Sequence, residues 1–451
     1  MENLQKDTSR PRGQGTGDRD QETRERNSGY LSQNQASPER AVIVGLAADS
    51  MNMRDRSTEE SLDELEALLE TAGGVCLGRA LQNRRAPEPR TFIGDGKVKE
   101  LKEIAELNEC SLVVFDNELT PSQMRALTDE LGIRVLDRSS LILDIFAGRA
   151  QTREGRLQVE LAQYKYLLPR LAGMWKHLAS QTGTSAPIGT RGPGETQLET
   201  DRRHIRRKIA KLEEELDEVM RTRQTQRRLR EKNNIPVVAL IGYTNAGKST
   251  LLNKLTGAGV QAESRLFDTL DTTTRRFSVS DTMEALISDT VGFIRKLPHH
   301  LVDAFKATLE ELKYADVLVH VIDASSLEWQ EQARVVDTLL EELGTEGTPR
   351  VEAFNKCDIR AADIRTREKN AVEISAKTGQ GIDLLLKRIE EALSAEKKEI
   401  KLRLPYDKAG LAETLYNEGV VKETRYLEEC IELDVALNPK TFEKFREYIS
   451  N

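Results

Sequence analysis

Residues 242–249 read Gly242, Tyr243, Thr244, Asn245, Ala246, Gly247, Lys248 and Ser249, the spacing G-x-x-x-x-G-K-S. Glycines at those places let backbone N–H groups wrap a polyphosphate at a helix N-terminus, whose dipole favours anions. Lys248 would reach the β- and γ-phosphates, and the Ser249 hydroxyl would ligate Mg2+. The flanks suit that chemistry. The apolar run 236–241 predicts a buried strand before the loop, and 250–255 predicts a helix after it.

Three further motifs choose the base. Residues 287–292 end an apolar strand with D-x-x-G, which places Asp289 to hold Mg2+ through water and Gly292 to touch the γ-phosphate. After a strand at 317–322, residues 351–358 end in N-K-x-D. The Asp358 carboxylate would accept hydrogen bonds from guanine N1 and N2, donors that adenine lacks. Asn355 would support the base edge and loop, and the Lys356 stem would pack on the ring. Residues 372–377 end the next strand with Ser375, Ala376 and Lys377, a further wall of the pocket. Motifs at successive strand carboxyl ends lie where an open α/β sheet binds ligands. A Ras-like GTPase domain over 234–395, binding GTP and GDP, is the expectation.

Between these motifs, residues 266–274 form a candidate switch loop. Thr269 is the choice for sensing Mg2+ and the γ-phosphate, with Thr272, Thr273 and Thr274 as competitors. Phe293 follows Gly292, where many GTPases carry a glutamine that orients water. An apolar ring cannot do that, so basal hydrolysis is expected to be slow and completed by a partner or a rearrangement. The Asn245 carbonyl is a candidate K+ ligand beside the phosphates; a loop-stabilising hydrogen bond is the alternative.

The surrounding chain must position these groups. Its 451 residues exceed one compact core and imply several domains. Residues 1–40 hold five apolar side chains and read as a disordered extension. Residues 41–147 alternate strands (41–46, 112–115, 133–136) with helices, including a face of Leu62, Leu65, Leu68 and Leu69 and a start at Pro121. That pattern predicts a small parallel sheet covered by helices. Phe92–Lys97, two glycines beside a lysine, reads as an ordinary turn rather than a phosphate site.

Over 148–233, Leu157, Leu161, Tyr164 and Leu168 recur at helical spacing until Pro169, where a break is expected. A glycine-rich loop from about Arg170 to Gln197 follows. Ile205, Ile209, Leu212, Leu216 and Val219 then make a heptad-like stripe, so an antiparallel helical hairpin is predicted. Residues 396–451 read as a small α/β domain with strand-like runs at 402–406 and 431–437.

The formal net charge of −8 argues at first sight against a polyanionic partner. Residues 149–232, however, carry nineteen Lys/Arg against eleven Asp/Glu, a net of +8 that leaves −16 for the remainder. Arg202, Arg203, Arg206, Arg207 and Lys208 cluster near the loop, the footprint of contact with an RNA backbone. The four cysteines (Cys76, Cys110, Cys357 and Cys430) include no CxxC, and neither a membrane span nor a signal segment is visible. A cytoplasmic protein, monomeric in solution, is expected.

Residues 188–195 (I-G-T-R-G-P-G-E), 198–203 (L-E-T-D-R-R), the phosphate loop and 289–293 (D-T-V-G-F) together resemble the HflX GTPases. Phe92–Lys97 and Phe115–Leu119 add to the likeness, which covers roughly 41–395. The resemblance implies a GTP hydrolase, stimulated by the ribosome, that binds the large ribosomal subunit and splits stalled or idle ribosomes or acts in rescue or biogenesis. It implies that 242–249, Phe267, Asp268, Thr269, Leu270, Asp271, Asp289, Thr290, Val291, Gly292, Asn355, Lys356, Cys357, Asp358 and 375–377 carry the nucleotide. Ser249 and Thr269 would hold Mg2+, and Arg191 and the basic cluster would meet rRNA. Two rival readings remain: an RNA-remodelling NTPase using ATP as well as GTP, and a non-ribosomal GTP-dependent interaction switch.

Overall fold

A computed structural model describes residues 38–451, apart from 54, 182–192, 233–234, 258–265, 268–269, 271–272, 282, 298–300, 302–308, 346, 360–369, 396–397, 409, 413–414, 416–419, 428–429, 438–444, 446–447 and 450–451. The expected disordered extension, residues 1–40, therefore lies almost wholly outside the described residues.

Four parallel strands, β1 (Arg40–Ala48), β2 (Val75–Arg84), β3 (Leu112–Phe115) and β4 (Arg134–Asp137), form the first sheet in the order β2-β1-β3-β4. Helices α1 (Glu59–Thr71), α2 (Asp95–Leu107), α3 (Pro121–Leu131) and α4 (Arg138–Arg149) connect and cover it. Thr58 and Ser61 close a capping box at the start of α1, whose Leu62, Leu65, Leu68 and Leu69 are buried. Pro121 sits in the first turn of α3, and Gly132 ends that helix in the left-handed region. Of Phe92–Lys97 only the first three residues form the expected turn: Phe92 and Ile93 are buried, Gly94 caps α2 with its N–H on Gln82, and Asp95–Lys97 are already helical. Strand β2 escaped the sequence reading because it is an edge, half exposed along its length.

The break expected at Pro169 does not occur. One helix, α5 (Arg153–Gln181), runs through it, and α6 (Pro193–Lys232) begins before the expected loop ends. Tertiary contacts override the proline. The Arg170 guanidinium lies 3.4 Å from the Tyr166 ring centroid and bonds the Tyr166 carbonyl, Leu119 carbonyl and Asp137 carboxylate, each at 3.1 Å. Both sides of the proline are thus held to the first sheet. Leu157 and Leu161 of α5 pack on Leu212 and Leu216 of α6. Ion pairs Lys165–Glu213 (2.9 Å) and Glu154–Arg223 (2.7 Å) flank that seam.

The second sheet has the order β10-β9-β8-β5-β7-β6. Its members are β5 (Val237–Gly242), β6 (Thr273–Ser280), β7 (Met283–Asp289), β8 (Val317–Asp323), β9 (Arg350–Asn355) and β10 (Ala371–Glu373). All neighbours run parallel except β6 and β7. Val238 and Leu240 face α7 (Lys248–Thr256) and α9 (Ile382–Ala395), whereas Ile241 joins a core shared with Ile43 of the first sheet, Leu62 of α1 and Leu141 of α4. α8 (Trp329–Leu343) contributes Val336 and Leu340 to that shared core. A third, antiparallel sheet follows, with β11 (Lys398–Pro405), β12 (Val420–Tyr426) and β13 (Cys430–Leu437) ordered β11-β13-β12 over Leu402, Leu404, Leu433 and Val435.

His320 lies at the centre of the second sheet, opposite Ile241, with Nδ1 unbonded among the described residues. Burial, then Arg350 and Lys248, pull its imidazole down to about 3. An unfolded histidine titrates near 6.5, so the unfolded chain binds the extra proton between these values and stability falls as pH drops through that window. The slope from this group is about 1.4 kcal/mol per pH unit. Urea unfolding of wild type and His320→Gln from pH 5.5 to 4 should show their stability difference changing by about that amount per unit. A constant difference would contradict a neutral buried His320.

Candidate functional site

Strand β5 delivers the chain into the 242–249 loop, and backbone space decides the glycines. Gly242 (φ +153°) passes so close to β8 that a Cβ would meet the Val321 oxygen at 2.3 Å. Gly247 takes φ +95° at the start of α7, and its Cβ would lie 2.2 Å from Asn355 Nδ2. No larger side chain fits either place. Asn245 is exposed at φ +59°, a left-handed conformation that asparagine adopts more readily than most residues. Its presence there needs no bound cation.

The Lys248 ammonium turns back into the loop and donates to the carbonyls of Gly242 (3.0 Å) and Tyr243 (2.8 Å). Burial pulls it down to about 8 against the opposing pull of Asp289. The Ser249 hydroxyl donates to Asp289 Oδ2 at 2.8 Å, and Asp289 is fully buried at the end of β7. A hydroxyl and a carboxylate meeting beside a phosphate loop are the hard oxygen donors that suit Mg2+. Thr290 bonds the Leu240 carbonyl at 2.7 Å, and Val291 and Gly292 are buried. A Cβ on Gly292 would meet Thr244 Cα at 2.9 Å and Lys248 Nζ at 3.0 Å.

Asn355 is the joint between loops. Its Nδ2 donates to the Ala246 carbonyl at 2.8 Å, and its Oδ1 accepts from the Ala376 N–H at 2.9 Å. Lys356, at φ +65°, donates to Asp323 at 2.7 Å. Cys357 and Asp358 follow in a short 3-10 turn, with the Asp358 carboxylate exposed at its edge. Ser375 is fully buried and accepts from the Thr378 N–H at 3.2 Å, while Lys377 is exposed. Phosphate loop, Asp289 corner and base loop thus meet at one end of the second sheet.

Of the switch candidates, Phe267 and Leu270 are buried; Asp268, Thr269, Asp271 and Thr272 lie outside the described residues. Thr273 and Thr274 begin β6, with Thr273 opposite Asp289. Arg191 also lies outside them. Arg203, Arg206, Arg207 and Lys208 are exposed on α6, Arg202 is half-buried, and Ile205 turns inward. Among the described residues, Arg203 and Arg207 form no ion pair, whereas Lys208 donates to the Tyr164 hydroxyl at 2.8 Å.

Sequence reasoning missed the groups that back the site. The buried Tyr243 hydroxyl donates to Glu64 of α1 and accepts the Arg295 N–H at 2.8 Å. Phe293 is buried in the shared core and pairs its backbone with the phosphate loop, donating to the Gly242 carbonyl (3.1 Å) and accepting from the Thr244 N–H (2.7 Å). Phe267, at φ +57°, meets Phe146 of α4 edge to face with centroids 4.6 Å apart. The available signal was an aromatic residue in each of three nucleotide motifs, none of which phosphate chemistry requires.

A phosphate loop on a parallel strand, a D-x-x-G corner and an N-K-x-D loop at one sheet edge define a P-loop GTPase. Comparison with known proteins agrees. Family models described as GTP-binding GTPase N-terminal, GTP-binding GTPase Middle Region, 50S ribosome-binding GTPase and HflX C-terminal domain match residues 59–147, 149–230, 237–356 and 361–447. GTPase HflX of Caldanaerobacter subterraneus is 45% identical over 411 residues, 91% of this chain and 94% of that protein. GTPase HflX of Escherichia coli is 45% identical over 82% of this chain and 87% of that protein. A crystal structure of a GTP-binding protein from Sulfolobus solfataricus with GDP aligns at 26% identity and a TM-score of 0.42, over 79% of this chain and 99% of that one. The chain belongs to the HflX GTPase family and is a GTP hydrolase. No described helix is long and apolar enough to cross a membrane.

Replacing Asn355 with alanine removes two buried hydrogen bonds, one to each loop. Titration with fluorescent GDP should show affinity falling by roughly 10- to 100-fold. Unchanged affinity would mean the loops hold without this joint.

Proposed function

We propose that this GTPase acts on the large ribosomal subunit, with α5 and α6 forming an antiparallel hairpin whose basic end lies against rRNA. The observation that carries the reading is the exposed row Arg203, Arg206, Arg207 and Lys208 on α6. A polyanion would release counterions on meeting such a row, which supplies affinity without sequence readout. The match of 237–356 to a 50S ribosome-binding GTPase model supports the same partner. On this reading the domains are 41–147, 148–233, 234–395 and 396–451, and Arg191 joins the RNA contact. Dissociation of stalled or idle ribosomes is the favoured outcome.

Within the site, the 242–249 loop and Lys248 cradle the phosphates, and Asp358 accepts from guanine N1 and N2. Ser249 and Thr269 hold Mg2+, with Asp289 acting through water; the ion neutralises phosphate charge. Phe293 orients no water, so basal hydrolysis is slow and the ribosome supplies what completes it. The finer proposal of K+ at Asn245 is checked by exchanging K+ for Na+ in the hydrolysis assay. Equal rates would remove it.

The partner is tested by co-sedimentation with purified large subunits. A non-hydrolysable GTP analogue should increase pelleting over GDP, and binding should weaken steeply as salt rises. Changing Arg203, Arg206 and Arg207 together to alanine should reduce the slope of log affinity against log salt by about 2. Nucleotide-independent pelleting, or an unchanged slope, would contradict the proposal.

A further inference from the structure

Open α/β sheets take ligands in the crevice outside the strand carboxyl ends, where the strand order reverses. In the first sheet that point lies between β1 and β3. Asp116 and Asn117 stand at the end of β3, both buried. Asn117 clamps the end of β1 by accepting from the Leu46 N–H at 3.0 Å. Ser57 and Ser61 donate to Asp116 at 2.6 and 2.8 Å, and Arg138 reaches its other oxygen at 2.9 Å.

The remaining group in this crevice comes from the GTPase half. The Lys296 ammonium donates to the Asp116 carboxylate and lies 3.4 Å from Ser57 Oγ. Lys296 stands four residues after Gly292, at φ +53°, a left-handed backbone that lysine rarely takes. The segment is tied at its other end too, through the Phe293 backbone on the phosphate loop and the Arg295 N–H on Tyr243. Nothing in guanine or phosphate recognition requires Lys296.

We propose that residues 293–296 act as an internal ligand of the N-terminal crevice, with Lys296 filling the place an alkylammonium ligand would take, and that a γ-phosphate at Gly292 withdraws it. The proposal rests on the reading of Gly292 as the γ-phosphate contact. Gly292 is packed against Thr244 and Lys248 with no room for a Cβ; on this proposal a phosphoryl group that contacts it moves the Gly292–Phe293 backbone. That movement breaks the bond from the Thr244 N–H to the Phe293 carbonyl and carries Lys296 out of the crevice. Asp116 keeps Arg138 and two hydroxyls when Lys296 leaves. A buried carboxylate that retains its partners makes the contact reversible rather than a fixed part of the core.

The full chain is compared with Lys296→Met and Lys296→Arg, each checked for folding by thermal melting. GDP and a non-hydrolysable GTP analogue are titrated, and hydrogen exchange is followed over 57–64 and 112–117. In wild type these segments should exchange about tenfold faster with the analogue than with GDP. Lys296→Met should exchange fast with both and bind the analogue about tenfold more tightly relative to GDP, while Lys296→Arg behaves as wild type. Equal exchange in the two nucleotide states, or a wild-type affinity ratio in Lys296→Met, would overturn the proposal. Failure of wild type to bind either nucleotide would instead overturn the site reading beneath it.

Discussion

The architecture turns on one buried cation. Arg138, at the first turn of α4, is only 2% exposed and makes two ion pairs, to Asp116 at 2.9 Å and to Glu64. Burial works against its charge, but Glu64 and Asp116 raise its pKa above the ordinary arginine value. Those carboxylates then hold the nucleotide half, Glu64 through Tyr243 and Asp116 through Lys296. Burial would raise the Asp116 carboxyl, yet Arg138 and Lys296 keep it below the usual carboxylate value. Removing Arg138 would cost about 3–5 kcal/mol because Glu64 and Asp116 would remain as buried charges. Arg138, Glu64 and Tyr243 therefore form the fixed link between the sheets, and the Asp116–Lys296 contact is the one that can open.

This joint gives Phe293 a purpose. A glutamine there would leave a polar amide in the shared apolar core, which the ring completes. Phe267 does the same on the other side of the site against Phe146. The aromatic residues beside the phosphates thus serve the contact between halves. The neighbour of Arg138 extends the connection: Asp137 caps α4 through the Ser140 N–H at 2.9 Å and also accepts from Tyr166 at 2.8 Å and Arg170 at 3.1 Å. Two consecutive residues at the β4–α4 junction fasten the nucleotide half and the basic arm to the same sheet.

Much of the nucleotide site was legible because its spacing answers local backbone demands. The turn at 242–249 needs its glycines wherever it occurs, and N-K-x-D must sit at a strand end. The parallel N-terminal sheet was legible from apolar runs such as 112–115. What could not be read depended on distant partners: Arg138 meets Glu64 across 74 residues, and Lys296 meets Asp116 across 180. The helix through Pro169 was misread because its support, Arg170 on Tyr166 and Asp137, exists only once the sheet has formed. Edge strand β2 lacks the apolar run that announced its neighbours. The net charge of −8 hid a basic arm by averaging, and only its division along the chain exposed the face carrying Arg203 to Lys208.

The central claim is that the first sheet and the guanine site behave as one unit through Arg138. Differential scanning calorimetry of the full chain, with and without saturating GDP, tests it most directly. If the claim holds, GDP raises the unfolding of both halves together, and Arg138→Met splits off an N-terminal transition that no longer responds to nucleotide. Separate transitions in the wild-type chain, with the N-terminal one insensitive to GDP, would contradict it.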